Sequence, residues 1–376
     1  MKKDSKIYIA GASGLVGSAI IRKLIGSGYT NLVGTHFGLA PQSTQIRSSN
    51  VNLVDQQETE NFFRTEKPEY VFLAAARVGG IVANNLFRAN FIYDNLQIQN
   101  NTIHQSYLNG VKKLLFLGSS CIYPKNCPQP MREDYLLTSE LEYTNEPYAI
   151  AKIAGIKMCE SYNIQYNTNF ISVMPTNLFG ENDNFDLEKS HVLPALIRKM
   201  FLGKCLMNND WDTLRKNLNN HPIETISGNS SEKEILQILQ KYGIVTNQNE
   251  TYITLWGTGE PLREFLHSDD LADACVFLME NIDFKDIMKN EFSEKTEIRN
   301  THINIGTGRD ITIKDLALMV KEITDYKGNI VWDSQKPDGT MKKQLDVSKL
   351  LSYGWKPKIK FKEGVKEVFR KYTANL

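Results

Sequence analysis

Short apolar or β-branched runs alternate with longer stretches of helical periodicity through the first half of the chain. The strand-like runs are KIYIA (6–10), NLVG (31–34), YVFLAA (70–75), KLLFLG (113–118) and FISVM (170–174), and helical spacing is found at 18–27, 87–108 and 146–163. Strands that alternate with helices in this way predict a parallel sheet with helices packed on both faces. The expected fold class is therefore α/β, with a doubly wound parallel sheet in residues 1–180.

The alternation becomes less regular after about residue 180. Helical spacing is present at 191–202, 268–281, 311–323 and 361–373, and short strands are predicted at 252–256 and 302–305. We expect residues 181–376 to form mainly a smaller lobe that binds the substrate.

Residues 206–250 contain many asparagines, a composition that favours turns over strands or long helices. We interpret this segment as an insertion in the smaller lobe. One helix is expected within it, because Ser231 and Glu234 have capping-box spacing before an apolar run and Gly243 provides a stop.

The composition is that of an ordinary folded protein and disfavours several functional classes. The 376 residues are 41% hydrophobic and 23% charged, and their net charge of +1 gives no general attraction to nucleic acid or an anionic membrane. No apolar run is long enough for a signal peptide or a membrane span. The five cysteines are scattered and form no C-x-x-C pair, which argues against a zinc site. We expect a cytoplasmic protein with no metal site.

A glycine-rich turn follows the first predicted strand. Gly11, Gly14 and Gly17 have G-x-x-G-x-x-G spacing and lead into the first predicted helix. Backbone amides and the helix dipole at such a turn can bind a pyrophosphate, as in Rossmann-type folds. A glycine turn can also serve packing alone, but its position between a strand and a helix favours a nucleotide.

The end of the second predicted strand indicates which dinucleotide binds. Its sequence, GTHFG, lacks the acidic residue that accepts a hydrogen bond from the adenosine ribose of NAD. Ser13, Thr35, His36 and Arg47 are candidates for contact with a 2′-phosphate, so NADP(H) is the expected cofactor. His36 can also be interpreted as a solvated loop residue. Asp55 is expected near the adenine.

Tyr148 and Lys152 are four residues apart in a predicted helix, so both side chains project from one face. A neighbouring ammonium stabilises a tyrosinate and lowers the pKa of the phenol, as proton exchange near neutral pH requires. Ser119, at the end of the preceding predicted strand, can hydrogen-bond the substrate oxygen that Tyr148 protonates. These three residues predict a proton-transfer site.

The chain resembles an extended short-chain dehydrogenase/reductase, because such enzymes have a glycine motif, a serine and a Tyr-x-x-x-Lys pair in the same order as Gly11–Gly17, Ser119 and Tyr148-x-x-x-Lys152. Longer stretches resemble the GDP-L-fucose synthase family: AAARVGGIVANN (74–85), LGSSCIYPKNCPQPM (117–131), TNEPYAIAKIAGIKMCESYN (144–163), VMPTNLFGENDNFDLEKSHVLPALIRK (173–199), WGTGEPLREFLH (256–267) and KPDGT (336–340). That family epimerises C3 and C5 of GDP-4-keto-6-deoxymannose and then reduces C4 with NADPH. The similarity covers nearly everything except the insertion and a longer loop after the second strand.

The resemblance implies a role for each reacting residue. Cys121 and His191 match the acid/base pair of epimerisation, and a thiol and an imidazole both have reference pKa values within about two units of neutrality. During reduction, hydride passes from the nicotinamide to C4 while Tyr148 protonates O4, Ser119 hydrogen-bonds that oxygen, and Lys152 also holds the nicotinamide ribose. The alternative for Cys121 is a buried core thiol.

Further positions match the ligand contacts of the family. The expected cofactor contacts are Gly11, Ser13, Gly14, Leu15, Val16, Gly17, His36, Asp55, Ala75, Tyr148, Lys152 and His191. The expected substrate contacts are Asn177, Lys199, Trp256, Arg263 and Lys343. Arg263 and Lys343 would meet the GDP phosphates or sugar, and Lys199 replaces an arginine of some relatives, which keeps the charge without bidentate contact. Arg263 and Lys343 can also be interpreted as surface charges, and Trp256 as a packed ring.

Other functions remain open. Relatives in surface-polysaccharide (capsule) pathways act on GDP-4-keto-6-deoxyheptoses, and some of them only reduce C4 without epimerisation. The insertion at 206–250 lies next in sequence to elements of the substrate lobe, so it could reshape the pocket for a larger sugar. A non-catalytic NADP-binding sensor would be expected to have a damaged Ser-Tyr-Lys set, and the set is intact. A 4,6-dehydratase is disfavoured, because Ser120 and Cys121 occupy the places of its Asp-Glu pair.

The resemblance also implies the partners. The substrate is a GDP-sugar, and the protein is a homodimer in which the helices at 87–108 and 146–163 form a four-helix bundle across a two-fold axis. No nucleic acid and no membrane partner is expected.

Overall fold

The computed structural model describes residues 1–41, 43–247, 250–291, 297–336, 338–374 and 376. The chain forms two compact units, each built from three segments. The first unit comprises Met1–Leu178, Glu264–Arg309 and Gln344–Lys358, and the second comprises Phe179–Arg263, Asp310–Lys343 and Ile359–Leu376. The boundary expected near residue 180 lies close to the end of the first segment. Residues 264–309 and 344–358 lie within the range 181–376, which we expected to form mainly the smaller lobe, and they belong to the first unit.

Strands and helices alternate along most of the chain. The strands are β1 (Ile7–Ala10), β2 (Leu32–His36), β3 (Arg47–Asn50), β4 (Tyr70–Leu73), β5 (Lys113–Leu117), β6 (Phe170–Pro175), β7 (Asn177–Phe179), β8 (Ile244–Thr246), β9 (Thr251–Trp256), β10 (Leu262–His267), β11 (Ile303–Ile305), β12 (Asp310–Thr312), β13 (Asn329–Asp333) and β14 (Lys342–Lys343). The helices are α1 (Leu15–Gly26), α2 (Gln56–Glu66), α3 (Ile81–Leu86), α4 (Arg88–Leu108), α5 (Glu146–Tyr166), α6 (Val192–Met207), α7 (Trp211–Asn220), α8 (Glu232–Lys241), α9 (Ser268–Asn281), α10 (Phe284–Glu291), α11 (Ile313–Thr324), α12 (Ser348–Ser352) and α13 (Phe361–Ala374). Within the described ranges, no helix is both long enough and apolar enough to cross a membrane.

The first unit contains a parallel sheet in the order β11-β6-β5-β4-β1-β2-β3. The strand order changes direction between β1 and β4, because β2 and β3 extend the sheet on one side and the later strands extend it on the other. The carboxyl ends of β1 and β4 therefore flank the crevice in which a doubly wound sheet binds its ligand. The predicted α/β class and Rossmann-type sheet are confirmed.

Helices cover both faces of this sheet. Ile7 and Ile9 of β1 pack in the core that includes α1 and α9, whereas Tyr8 and Ala10 pack in the core that includes α4 and α5. Every residue of β1, β5 and β6 is buried, as expected for strands enclosed between two layers. The continuous apolar runs of these strands made them predictable.

The second unit contains a small mixed sheet in the order β13-β9-β8, with β9 parallel to β13 and antiparallel to β8. α6 packs against β9, α7 and α11. The first residues of β10 pair in parallel with β14, so that Leu262 lies opposite Lys342 and Arg263 lies opposite Lys343. This pairing brings two expected substrate contacts onto adjacent strands.

The helix predicted within residues 206–250 is α8. It begins with the capping box of Ser231 and Glu234, in which each side chain bonds the other residue's backbone amide. Gly243 follows the helix with a φ of +80°, a backbone conformation that favours glycine. Residues 248–249 of this segment lie outside the described residues.

The same segment contains more regular structure than its asparagines suggested, because α7 and β8 were not predicted. Asp210 accepts a hydrogen bond from Thr213 N (3.1 Å) at the start of α7. Leu214 and Leu218 bury one face of the helix. A good N-cap and one apolar face therefore outweigh the turn preference of asparagine.

Candidate active site

The glycine-rich turn has a backbone shape that requires glycine at two positions. Gly11 has a φ of +81°, and a Cβ at Gly17 would lie 2.0 Å from Gly11 O. Ala75 lies beside the turn, because a Cβ at Gly11 would approach its backbone to 2.9 Å. Hydrogen bonds from the Gly11 and Ala12 amides to Thr35 O, 3.1 and 2.9 Å long, fix the turn against the end of β2.

α1 begins directly after this turn and presents backbone donors at its N-terminus. Gly14 is the N-cap, and no side chain caps the helix. The amides of Leu15, Val16 and Gly17 have no intrahelical acceptor, and the helix dipole makes this end electropositive. Such a helix end fits a phosphate group, and Ser13 lies in the turn beside it.

The candidates for 2′-phosphate contact near β2 differ in their surroundings. The Thr35 hydroxyl is bonded to that of Tyr8 (2.8 Å), and Arg47 pairs with Glu66 (Nη2 to Oε2, 3.2 Å). Both side chains are already engaged within the protein, which we did not anticipate from the sequence. His36 Nδ1 is buried without a hydrogen-bond partner among the described residues, so it fits a polar ligand atom.

Asp55 serves the protein itself as the N-cap of α2. Its Oδ1 accepts a hydrogen bond from Glu58 N (2.9 Å), which stabilises the start of the helix. Contact between Asp55 and an adenine stays a prediction.

The predicted Ser-Tyr-Lys set and Cys121 lie together beyond the end of β5. Ser119 caps a turn of 3-10 helix, Ser120–Ile122, in which its Oγ accepts a hydrogen bond from Cys121 N (3.4 Å). The Ser119 side chain also hydrogen-bonds Tyr148, and Cys121 interacts electrostatically with both Tyr148 and Lys152. The first unit therefore brings these residues to one place.

The Lys152 ammonium is held in a buried position. Its Nζ donates to Leu117 O (2.8 Å) and lies 4.9 Å from the ring centroid of Phe116 and 5.7 Å from that of Tyr148. Burial lowers the pKa of Lys152 to about 8, although Cys121 raises it. The charge of this residue therefore changes just above neutral pH.

Burial also dominates the properties of Tyr148. It raises the pKa of the phenol well above its usual value; Cys121 raises it further, and the hydrogen bond with Ser119 lowers it. We expected from the sequence that the Lys152 ammonium would lower this pKa, but burial outweighs any such effect. Tyr148 is therefore a neutral phenol near pH 7 and can donate a proton.

His191 belongs to the second unit, where it is the N-cap of α6. The residue reaches the surface, yet its ring is densely surrounded by protein, and this burial lowers its pKa. Neutral imidazole is therefore favoured near pH 7. Lys199 lies about two turns further along α6, and burial lowers its pKa to about 8.

The other expected substrate contacts in the second unit lie on β9, β10 and β14. Trp256 is 64% exposed at the end of β9, with Lys336 Nζ 5.5 Å from its ring centroid. Arg263 Nη1 donates to Thr340 O (2.6 Å), and Lys343 is its partner in the neighbouring strand. An exposed aromatic ring and two adjacent cations are suited to a base and to phosphates, respectively.

Asn177 belongs to the first unit and begins β7. Its Nδ2 donates to Glu264 O (2.8 Å). This bond fixes the orientation of the Asn177 amide.

Two charged residues of the second unit were not singled out in the sequence. Burial raises the pKa of Asp183 to about 7 in the loop before His191. Arg198 is fully buried on α6. A signal for Arg198 exists in the sequence, since it interrupts the apolar run of that helix, but the resemblance to the family drew attention only to its neighbour Lys199.

Comparison with known proteins identifies relatives over the full chain. The model of the NAD dependent epimerase/dehydratase family matches residues 7–218 and 231–306, which leaves 219–230 of the asparagine-rich segment unmatched. GDP-L-fucose synthase 1 of Arabidopsis thaliana is 47% identical over 375 residues, with 100% of this chain and 95% of the relative covered. GDP-L-fucose synthase of Escherichia coli (strain K12) is 42% identical over 371 residues, with 98% and 97% covered.

Two solved structures from Campylobacter jejuni are similar in sequence and fold. A GDP-6-OMe-4-keto-L-xylo-heptose reductase is 45% identical with a TM-score of 0.88. A GDP-D-glycero-L-gluco-heptose synthase, solved in the presence of NADPH, is 44% identical with a TM-score of 0.85. Each comparison covers 100% of this chain and 99% of the other.

Proposed function

Because the chain belongs to the NAD dependent epimerase/dehydratase family, and within it to the group of the GDP-L-fucose synthases, we propose that it is an NADP(H)-dependent enzyme acting on a GDP-sugar. The reaction is reduction of the C4 ketone of a GDP-4-keto-6-deoxy sugar, coupled to epimerisation at C3 and C5. The main support is the cluster of Ser119, Cys121, Tyr148 and Lys152 at the carboxyl ends of the parallel strands.

The residues present fit the cofactor. When bound, NADPH supplies the two reducing electrons as hydride. The amides of the 11–17 turn hold the pyrophosphate, and His36 Nδ1 contacts the 2′-phosphate. We assign Asp55 and Ala75 to the adenosine side and Tyr148, Lys152 and His191 to the nicotinamide side, as the resemblance implies.

The proton needed for reduction comes from Tyr148. Its phenol donates to O4 as the ketone becomes a hydroxyl group, and the raised pKa keeps the proton on the phenol until O4 becomes basic. Ser119 hydrogen-bonds the same oxygen, and the Lys152 charge stabilises the remaining phenolate.

Epimerisation uses one residue on each face of the sugar. The C4 ketone acidifies the hydrogens on C3 and C5, because the resulting carbanions are stabilised as enolates. One of Cys121 and His191 removes a proton and the other returns one from the opposite face. Neutral His191 can accept a proton. The Lys152 ammonium interacts with Cys121, and a positive charge favours the thiolate form of a cysteine.

The nucleotide part of the substrate is held by residues of the second unit. Arg263 and Lys343 supply positive charge to the phosphates from adjacent strands, and the exposed ring of Trp256 covers the guanosine side. Lys199 adds charge near the sugar, and Asn177 of the first unit contacts the edge of the substrate.

A specific observation supports a second candidate. Both Campylobacter jejuni structures are named for GDP-heptoses, and both resemble this chain over its full length. The second candidate is C4 reduction of a GDP-4-keto-6-deoxyheptose, with or without epimerisation, in surface-polysaccharide or capsule synthesis.

The enzyme acts as a cytoplasmic homodimer in this proposal. α4 and α5 pack together and carry exposed apolar side chains, among them Tyr93, Ile150 and Ile164, which a four-helix bundle between two copies would bury. A cytoplasmic location accords with a reaction between NADPH and a nucleotide sugar.

The test is an NADPH-consumption assay with GDP-4-keto-6-deoxymannose and with its heptose counterpart, run in deuterium oxide with the product analysed by NMR. We expect NADPH oxidation with the mannose compound and deuterium at C3 and C5 of the product. Preference for the heptose would favour the second candidate, and reduction without deuterium would exclude epimerisation. No NADPH oxidation with either compound would contradict an enzyme and favour an NADP-binding sensor.

A further inference from the structure

Arg198 is a buried cation that joins separate parts of the second unit. Its Nη1 donates to Phe185 O (3.1 Å), in the loop 181–190. Its Nε donates to Asn217 Oδ1 (3.2 Å) on α7, and its Nη2 donates to His221 O just after α7. One guanidinium therefore holds the loop and α7 together.

Asn217 provides a second connection between the same parts. It is fully buried, and its Nδ2 donates to the hydroxyl of Tyr372 on α13. The Tyr372 ring stacks on the ring of Phe185, with 4.3 Å between the centroids. The Asn217 oxygen accepts from Arg198 and its nitrogen donates to Tyr372, and both of these residues contact Phe185 in the loop. Asn217 therefore holds α7 against two side chains that contact the loop.

The loop leads directly to His191. Within it, Asp186 O accepts a hydrogen bond from Ser190 N (2.8 Å), so the residues after Phe185 form a compact turn. His191 then begins α6, and Arg198 follows about two turns later on that helix. The stretch before His191 is thus fixed by Arg198 at Phe185 and by the start of α6.

These contacts are sensitive to loss of any one partner. A buried guanidinium is costly unless its N–H groups are hydrogen-bonded. The acceptors of Arg198 include two carbonyl oxygens, the Asn217 amide oxygen and the Tyr372 hydroxyl. Removal of the Asn217 oxygen would leave a buried N–H without its acceptor, and Arg198 would shift to find another. The bond to Phe185 O would shift with it.

We propose that α7 positions His191 for catalysis, with Arg198 and Asn217 as positioning residues. This role rests on the proposed function, in which His191 is an acid or base of epimerisation. Proton transfer needs the imidazole within hydrogen-bond reach of its carbon, and small displacements reduce such rates strongly. Reduction at C4 takes its proton from Tyr148 in the first unit and involves His191 only as a cofactor contact. At saturating NADPH it is therefore much less sensitive to this alignment than epimerisation is.

Three variants separate positioning from general damage. Asn217→Leu removes the acceptor of Arg198 Nε, whereas Asn217→Asp keeps it. The matched control is Arg215→Ala on the same helix. It removes hydrogen bonds from Nη1 to Gly228 O (2.6 Å) and Ser230 O (2.9 Å) and leaves the contacts of Arg198 intact.

Two rates are measured for each variant. Epimerisation is followed as deuterium uptake at C3 and C5 of GDP-4-keto-6-deoxymannose with NADP⁺ in place of NADPH, and reduction is followed as NADPH oxidation with the already epimerised ketone. We expect Asn217→Leu to lower deuterium uptake by about 10- to 100-fold and to leave reduction at saturating NADPH near the wild-type rate. Asn217→Asp and Arg215→Ala should retain both rates. Equal losses of both rates in Asn217→Leu would overturn the inference.

Hydrogen exchange of the amides in 181–190 gives a result that does not depend on turnover. We expect faster exchange in Asn217→Leu and wild-type exchange in Arg215→Ala. Unchanged exchange in Asn217→Leu would overturn the inference. A wild-type protein with neither deuterium uptake nor reduction would instead contradict the proposed function, and the exchange result would still decide whether α7 fixes this loop.

Discussion

The buried Lys152 ammonium couples folding to pH. Burial lowers its pKa to about 8 from an ordinary value of 10.5. Between these two values the unfolded chain binds a proton that the folded protein has released, so the free energy of unfolding rises with pH, by about 3 kcal/mol in total. Below about pH 8 both states are protonated, and the cost of burying the charge is fully present.

The variant Lys152→Met removes this titration while keeping a long side chain in place. We expect its free energy of unfolding to rise less between about pH 8 and pH 10 than that of the wild type, by about 2 kcal/mol over this range. Urea denaturation across this range measures the effect, and Lys157→Met on the same helix is the control. Parallel pH profiles for Lys152→Met and the wild type would show that the lysine titrates normally.

Cys121 can be tested against another cysteine of the same loop region. A hydroxyl group is a much poorer acid or base than a thiol near neutral pH, so Cys121→Ser should lower deuterium uptake at C3 and C5 by about 100-fold or more. Reduction of the already epimerised ketone should persist, because Ser119, Tyr148 and Lys152 are unchanged. NMR of the recovered sugar measures the uptake, and Cys127→Ser should behave as wild type. Normal deuterium uptake in Cys121→Ser would mean that Cys121 is a buried core residue and not an acid or base.

The sequence indicated which residues meet at the site but not their electrostatics. Ser119, Tyr148 and Lys152 were predictable as a group, because strand ends and helical spacing determine where their side chains point. The raised pKa of Tyr148 was not, because burial depends on residues that are distant in the chain. Arg198 was missed for the same reason, since its acceptors come from a loop and a helix on either side of α6.

At the scale of elements, Lys113 joins β5 to the end of α9. Its Nζ donates to the carbonyls of Leu278 (2.9 Å), Met279 (3.0 Å) and Ile282 (2.8 Å). Carbonyl groups at a helix end lack intrahelical donors, so this buried ammonium replaces water there.

We expect Lys113→Met to lower the free energy of unfolding by about 2–4 kcal/mol, because it leaves buried carbonyls without donors. The matched control is Lys112→Met. That side chain is exposed and bonded to Glu69 Oε2, so its loss should change stability little. Chemical denaturation of the two variants measures the difference, and similar stabilities would mean that water replaces the Lys113 ammonium.

Two glycines of the turn give variants with different effects, one on stability and the other on NADPH binding. Gly17→Ala places a Cβ 2.0 Å from Gly11 O, so it should lower the melting temperature, with about 1–3 kcal/mol lost through overpacking. At Gly14 the added Cβ lies 3.6 Å from Gly11 O, an ordinary contact. Gly14→Ala should therefore fold normally but bind NADPH more weakly, as calorimetric titration would show. Unchanged affinity in Gly14→Ala would argue against pyrophosphate binding at this turn.

Elements with strong local patterns were predicted, and elements that depend on their neighbours were not. α4, α5 and the buried strands have periodicity or apolar runs that identify them. β3 has the sequence RSSN and is exposed throughout, so only its pairing with β2 makes it a strand. α7 was missed because its asparagines suggested turns, although Asp210 can cap the helix and Leu214 and Leu218 form one apolar face.

At the scale of the whole molecule, the division into units was only partly predictable. The first boundary follows the end of the alternating pattern. The return of 264–309 to the first unit was not visible in the sequence, because it depends on β11 pairing with β6 and on α9 packing against α1. Such contacts between distant segments leave no periodic signal.

The proposed homodimer predicts the mass of the protein in solution. The wild type should sediment as two chains, and Ile150→Asp with Ile164→Asp should sediment as one, because charges replace apolar side chains on α5. Leu318→Asp changes an equally exposed apolar residue on α11 and should remain a dimer. A wild-type monomer at micromolar concentration would contradict the four-helix interface.

The segmented first unit has a consequence for biosynthesis. β6 ends at Pro175, but its neighbour β11 is not made until Ile303–Ile305, and α9 is also translated after the whole 179–263 stretch. At ordinary rates of translation this interval lasts on the order of ten seconds. Throughout it, the nascent sheet has an unpaired edge, and the face that α9 later shares with α1 is only partly covered, so both can associate with other nascent chains. The order of synthesis, rather than the finished fold, therefore sets the period in which this protein is most prone to aggregate.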